Sequence, residues 1–243
     1  MGSRLAHVLN QASIELKVFS RQKILLFWSF VFPLLFLFGF SIDRTSLDFI
    51  FPGMIVTALL TTCVSNTVPL IVSERRYRLY KRLRVTPLKR STLIAAKLIS
   101  RYVVVIAQMV VMFTVAGLVF NIWPHGQLWE LASLISLGAV CLLSVAFFVA
   151  GIVRDEHAAN IVSMIVFFTL AFGSNTFFSI DLYPPEIQPV IGMLPTTHMA
   201  TALREMIAGP ASPRTLLPAL GWIGAYWLVF TALSIKFFNW EED

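Results

Sequence analysis

The chain has 243 residues, 57% of them hydrophobic and only 13% charged, with 19 Lys and Arg against 13 Asp and Glu. Soluble domains are about 45–50% apolar and about 25% charged, so this composition, with a mean hydropathy of +0.78, excludes a soluble globular protein. It implies an integral membrane protein, in which each span takes roughly 20 apolar residues. The net charge of +6 does not point to nucleic acid, because the basic residues gather at the ends of apolar runs, as membrane topology requires.

Residues 3–22 set Leu5, Val8, Leu9, Ala12, Leu16 and Phe19 in one arc, with Asn10, Lys17 and Arg21 opposite. This predicts an amphipathic interfacial helix over 1–23, although Ile14 and Val18 lie off the stripe; a disordered basic tail is the alternative. The first apolar run starts late and lacks a small-residue cleavage site, so it does not read as a cleavable signal. Six spans follow, at about 24–41 with Pro33 inside, 49–72, 98–120, 131–153, 158–178 and 216–238. Trp123 and Trp129 flank the turn after the third and belong at the interface. Residues 181–213 are too apolar for a solvated linker and too proline-broken to span. They read as two short helices dipping into the outer leaflet, one opened by Pro184 and Pro185 and one capped by Thr196 or Thr197. A compact extracellular loop is the alternative. The expected fold is therefore all-α, a single transmembrane domain over 1–243.

Between the second and third spans lies SERRYRLYKRLRVTPLKRSTLIAAK, residues 73–97, with nine of the nineteen basic residues. As a helix over 74–85 it sets Arg75, Arg78 and Arg82 on one side and Tyr77, Leu79, Tyr80 and Leu83 on the other. Arg76 and Arg84 fall within the apolar arc, where a protein groove with acceptors suits them better than lipid. Pro87 stops the helix. Glu74 has an alternative role, as an i,i+4 partner of Arg78. Sixteen Lys and Arg collect on the side of this segment and of both termini, against Arg44, Arg204 and Arg214 on the other. By the positive-inside rule this segment and both termini are cytoplasmic, and 181–213 faces outward.

Several chemistries are missing from the sequence. It has no phosphate-binding GxxxxGK[ST] loop, no HExxH helix and no Cys and His at metal-ligand spacing. His7, His125, His157 and His198 fall at helix ends or in loops. Cys63 and Cys141 lie in apolar runs, as packing residues rather than a disulfide. With no acidic residue in mid-span, self-powered proton-coupled transport is disfavoured. Asn66, Gln108, Asn160 and Asn175 either line a path or, the commoner role, bind helices together.

The succession FPGMIV, SERRYRLYKRLRVTPLKRSTLIAAKLIS and LPTTHMATALREMIAG resembles the permease subunits of the type-two ABC exporters, which move drugs, lipids and polysaccharides. Glu74, Arg75, Leu83, Arg84, Pro87 and Lys97 stand at matching positions, as do Phe51, Pro52 and Gly53 at the second span. Leu194, Pro195, Thr197, His198, Arg204 and Gly209 match the outward segment. The resemblance implies an ATPase-docking coupling segment carrying Glu74, Arg75, Arg76, Tyr80, Leu83, Arg84 and Pro87, and an outward gate at Pro195, His198 and Arg204. It implies two copies of a separate ABC ATPase, which carry the ATP and Mg, and a second permease chain, in the first instance a homodimer. No catalytic residue, metal or cofactor is expected on this chain, which is not an enzyme by itself. The implied location is the bacterial cytoplasmic (inner) membrane. An ATP-independent channel or facilitator is the alternative; a scaffold or membrane enzyme has no visible constellation behind it.

Overall fold

A computed structural model describes residues 2–39, 44–76, 90–124, 127–209 and 212–237, and every regular element among them is helical. Helix α1 (Gly2–Arg21) meets α2 (Lys23–Gly39) at 87° across Gln22. Next come α3 (Arg44–Leu60), a π-helical turn Thr61–Ser65 and α4 (Thr67–Arg76). Later in the chain lie α5 (Arg90–Phe120), α6 (Leu128–Ile152) and α7 (Glu156–Phe172). Two shorter helices follow, α8 (Gln188–Met193) and α9 (Pro195–Ala208), and α10 (Pro213–Phe237) packs along α6. The second span is the axis of the bundle, with 83% of its apolar window buried against 17% for α10. Its inner residues include Phe51, Met54, Ile55, Leu59 and Ile71.

Four helices are long and apolar enough to cross a membrane, and a fifth if α1 and α2 are taken as one bent span. Helix α7 is shorter and apolar, with 17 residues. The chain is thus an all-helical, multi-pass protein among its described residues. Two boundaries differ from expectation. Helix α5 already begins at Arg90, because nothing after Pro87 breaks a helix. Helix α7 stops at Phe172 rather than near 178: the chain bends at Gly173, and the Tyr183 hydroxyl donates to the freed Phe172 carbonyl at 2.6 Å. At the other end of α7, Asp155 caps the helix by accepting from the Ala158 amide at 2.9 Å, and this bond holds its carboxyl below the ordinary range.

Prolines explain the irregular turns. Pro33 has no amide hydrogen, so the Ser29 carbonyl loses its helical donor, and α2 widens into a π turn over Phe27–Val31. Pro69 stands in the same relation to Ser65, where the second span has its own π turn. The two turns pack together against α5. The Gln108 side-chain amide donates to the Ser29 carbonyl, the Thr62 hydroxyl donates to Gln108 Oε1 at 2.8 Å, and Asn66 Nδ2 donates to Ser29 Oγ at 2.8 Å. Ser29, Thr62, Asn66 and Gln108 are all buried. Asn66 and Gln108 therefore bind helices together, and Gln108 also satisfies the carbonyl that Pro33 leaves without its helical donor. Asn160 instead donates to its own helix at Glu156, and Asn175 Nδ2 donates to Thr201 at 3.1 Å.

The region expected to face outward also departs from expectation. Pro195 takes the first helical position of α9 and Leu194 caps it, so neither Thr196 nor Thr197 is the cap. Pro195's fixed φ sets the helix start ahead of both threonines. Thr197 Oγ1 donates instead to the Ile191 carbonyl at 2.6 Å, joining α8 to α9. Ile191 of α8 is buried, whereas Val190 and the preceding Ile187 are exposed.

Candidate functional sites at the two ends of the bundle

At one end of the bundle, α4 ends at Arg76 and α5 begins at Arg90. The carboxylate of Glu74 contacts the Lys97 ammonium, tying the two helices across the base of the segment between them. Lys97 is 4% exposed, and its ammonium also lies 3.9 Å from Glu15 Oε1 of α1. One turn further along α5, the buried Arg101 guanidinium lies 5.1 Å from the centroid of Phe19, also on α1. Two carboxylates and two cations thus join α1, α4 and α5. Burial lifts the Glu15 carboxyl above its ordinary range and the nearby Lys97 opposes that rise.

Arg75 faces inward and is 6% exposed. It donates to the Ala150 carbonyl at 3.1 Å and to the Val153 carbonyl, satisfying orphan acceptors at the C-terminus of α6, where a cation is favoured. Arg76 faces out, 3.9 Å from Asp155 at the start of α7, in a half-exposed pair. Of the residues foreseen for docking, Glu74 and Arg75 are therefore held within the bundle and Arg76 stands at its surface. Tyr80, Leu83, Arg84 and Pro87 lie outside the described residues. Sequence reasoning passed over Glu15 and the inward role of Arg101. The signal was present, since Glu15 adjoins the apolar arc of α1 and Arg101 lies within an apolar run; two misplaced opposite charges are candidates for each other.

At the opposite end of the bundle, Arg204 of α9 reaches α3. Its Nε donates to the Phe49 carbonyl at 3.1 Å and its Nη2 to the Thr176 carbonyl at 2.9 Å, with the guanidinium 3.6 Å from the centroid of the Phe49 ring. One side chain thus clamps α3, α9 and the 173–179 loop. The adjoining Pro52-Gly53 pair gains a reason: a Cβ at Gly53 would stand 2.1 Å from the Thr176 carbonyl oxygen, so only glycine lets that backbone approach. His198 lies on another side of α9, because six residues along a helix turn through about 600°. Its ring stacks on Trp222 of α10 at 5.6 Å and 8°, with Nε2 buried and lacking a hydrogen-bond partner. Burial pushes its imidazole below the ordinary range. Pro195 is buried at the start of the helix. The three foreseen gate residues share one helix, but each has a different neighbour. Among the described residues no group of three or more His, Cys, Asp or Glu could hold a metal ion.

Comparison with known proteins supplies the context for this geometry. Residues 40–236 match the profile of the family described as "ABC-2 family transporter protein". The chain is 24% identical over 240 residues to the "Putative transport permease YvfS" of Bacillus subtilis (strain 168), covering 94% of this chain and 96% of that protein. It is 29% identical over 194 residues to the daunorubicin resistance ABC transporter permease protein DrrB1 of Streptomyces coeruleorubidus, covering 74% of this chain and 67% of that one.

Proposed function

Because the chain belongs to the ABC-2 transporter family, we propose that it is the six-span permease subunit of an ATP-driven exporter, moved by a separate ABC ATPase. The cargo is an amphiphile, a drug, lipid or lipid-linked glycan, taken from the cytoplasm or inner leaflet of the bacterial inner membrane. The assembly holds two permease chains and two ATPase subunits, with ATP and Mg bound by the ATPases and both permease termini cytoplasmic.

One observation supports this reading above the others: the two ends of the 77–89 segment are fastened to the bundle by buried charges. Glu74 and Lys97 join α4 to α5 beside α1, and Arg75 joins α4 to the end of α6. A push on this segment has little slack to take up before it reaches four helices. ATP binding closes the ATPase dimer, the segment over 74–85 receives the force, and the first, second and fifth spans part at the interface between permeases. On the outward side Arg204 yields its two carbonyls as the lid formed by α8 and α9 opens.

The test is affinity purification in mild detergent from the native host. The expected result is a co-purifying P-loop ATPase that is lost, with the permease still in the membrane, on Arg76→Glu together with Arg84→Glu. Unchanged export in that variant overturns the docking assignment. Transport that persists in vesicles stripped of ATP replaces the exporter with a facilitator.

A further inference from the structure

The outer face of the α1–α2 elbow is exposed and combines basic with large apolar side chains. Lys17, Arg21 and Lys23 are all exposed, and none makes an ion pair with a described residue. Beside them stand exposed apolar side chains, Ile14 (46%), Val18 (47%), Ile24 (74%), Phe27 (43%) and Trp28 (45%). Ile14 and Val18 are the two residues that spoil the apolar stripe of α1 when it is read as one-faced. The helix in fact has two working faces. Ala12 and Phe19 are buried and α1 packs on α5, whereas Lys17 and Arg21 alternate with Ile14 and Val18 on the far side.

We propose that this elbow seats an anionic phospholipid of the leaflet in which α1 lies. The 87° turn carries the chain from the plane of α1 into the first span. Lys17, Arg21 and Lys23 then stand at the level of the phosphates, and Ile24, Phe27 and Trp28 stand just below them, against the first carbons of the acyl chains. Tryptophan favours that depth, and basic residues near a membrane surface favour anionic over zwitterionic lipid. The described carboxylate nearest in sequence is Glu15, which is turned toward Lys97 on the opposite face, so it does not repel the headgroup. Lipid also suits the surroundings better than a soluble partner, since the cations are interleaved with large apolar side chains on a helix at the interface. The proposal rests on the interfacial placement of α1, and not on the exporter reading.

The test is native mass spectrometry of the full chain released from nanodiscs of equimolar phosphatidylglycerol and phosphatidylcholine. Wild type should retain phosphatidylglycerol in preference. The Lys17→Gln, Arg21→Gln, Lys23→Gln variant should lose about fivefold of that preference for each charge removed. Lys17→Arg with Lys23→Arg should keep it, and an excess of soluble glycerol phosphate should not displace the lipid. If the triple variant inserts poorly, Arg21→Gln alone supplies the comparison, with the loss expected of one charge. Equal retention of the two lipids by wild type overturns the proposal, as does an unchanged preference in the charge-depleted variants or a loss in the arginine-for-lysine variant. A soluble protein lost from the charge-depleted variant while its lipid preference stays intact overturns it in favour of a protein partner. ATPase co-purification is read separately, so failure here leaves the exporter reading standing.

Discussion

Lys97→Met removes the cation shared by Glu15 and Glu74 and leaves both carboxylates in place, with side chains 17% and 14% exposed. At an effective dielectric of about 20, opposite charges about 4 Å apart attract by about 4 kcal/mol. Removing one partner of a buried pair costs about 3–5 kcal/mol, because the other charge stays desolvated. Arg101 remains nearby and compensates in part, so about 3 kcal/mol is expected. Glu15→Gln leaves the Glu74 pair intact and costs about 1 kcal/mol. Neutralising all three, Glu15→Gln, Glu74→Gln and Lys97→Met, removes the buried carboxylate charges together with their shared cation and recovers part of the loss. The assay is the temperature at which the monodisperse peak disappears in fluorescence-detected size exclusion, together with maleimide labelling of an Ala12→Cys reporter. Ala12 is 3% exposed and α1 packs on α5, so labelling should rise in Lys97→Met as α1 lifts away. Equal stability of Lys97→Met and Glu15→Gln, or a triple variant no better than Lys97→Met alone, refutes the account of Lys97 as the shared counter-ion.

Other predictions concern the outward end. Gly53→Ala should cost about 1–3 kcal/mol through overpacking, since the Thr176 backbone must move to admit the new methyl; thermal stability checks this, and a neutral result removes the close approach as the reason for glycine. Arg204→Lys should fail to restore Arg204→Gln, because an ammonium cannot span the Phe49 and Thr176 carbonyls as a guanidinium fork does. Each lost charged hydrogen bond is worth about 1.5–3 kcal/mol, read by the same assay. Replacing His198 and Arg204 together by alanine should alter export if they gate the exit, and intact export and substrate preference would leave them a structural role alone. His198 is held below its ordinary value by burial, so its contribution is complete above about pH 6.5 and is lost as the pH falls, when the unfolded chain takes up the proton more readily. Thermal melts from pH 7.5 to 5.0 should show this fall in wild type and a smaller one in His198→Phe, which keeps a ring against Trp222.

Class, helicity and the order of segments were legible in the sequence, because apolar runs and their breaks are local and solvent sets their length. The amphipathic character of α1 and the irregular backbone between α7 and α9 follow from periodicity and proline alone. So does the family, whose marks are short runs of contiguous residues. Partners were not legible. Glu74 reads only as a neighbour for residues of its own helix, and its contact with Lys97 exists because α4 and α5 pass close together there. Arg75 reads as part of an exposed basic stripe, yet it enters the bundle because α6 ends beside it with unpaired carbonyls. Arg204 and His198 read as one gate, yet they point to different neighbours because the bundle surrounds α9. A side chain's own segment sets the direction in which it points. Only the packing of distant helices decides what it meets there, and for a charge in a membrane protein that meeting separates a structural tie from a working surface.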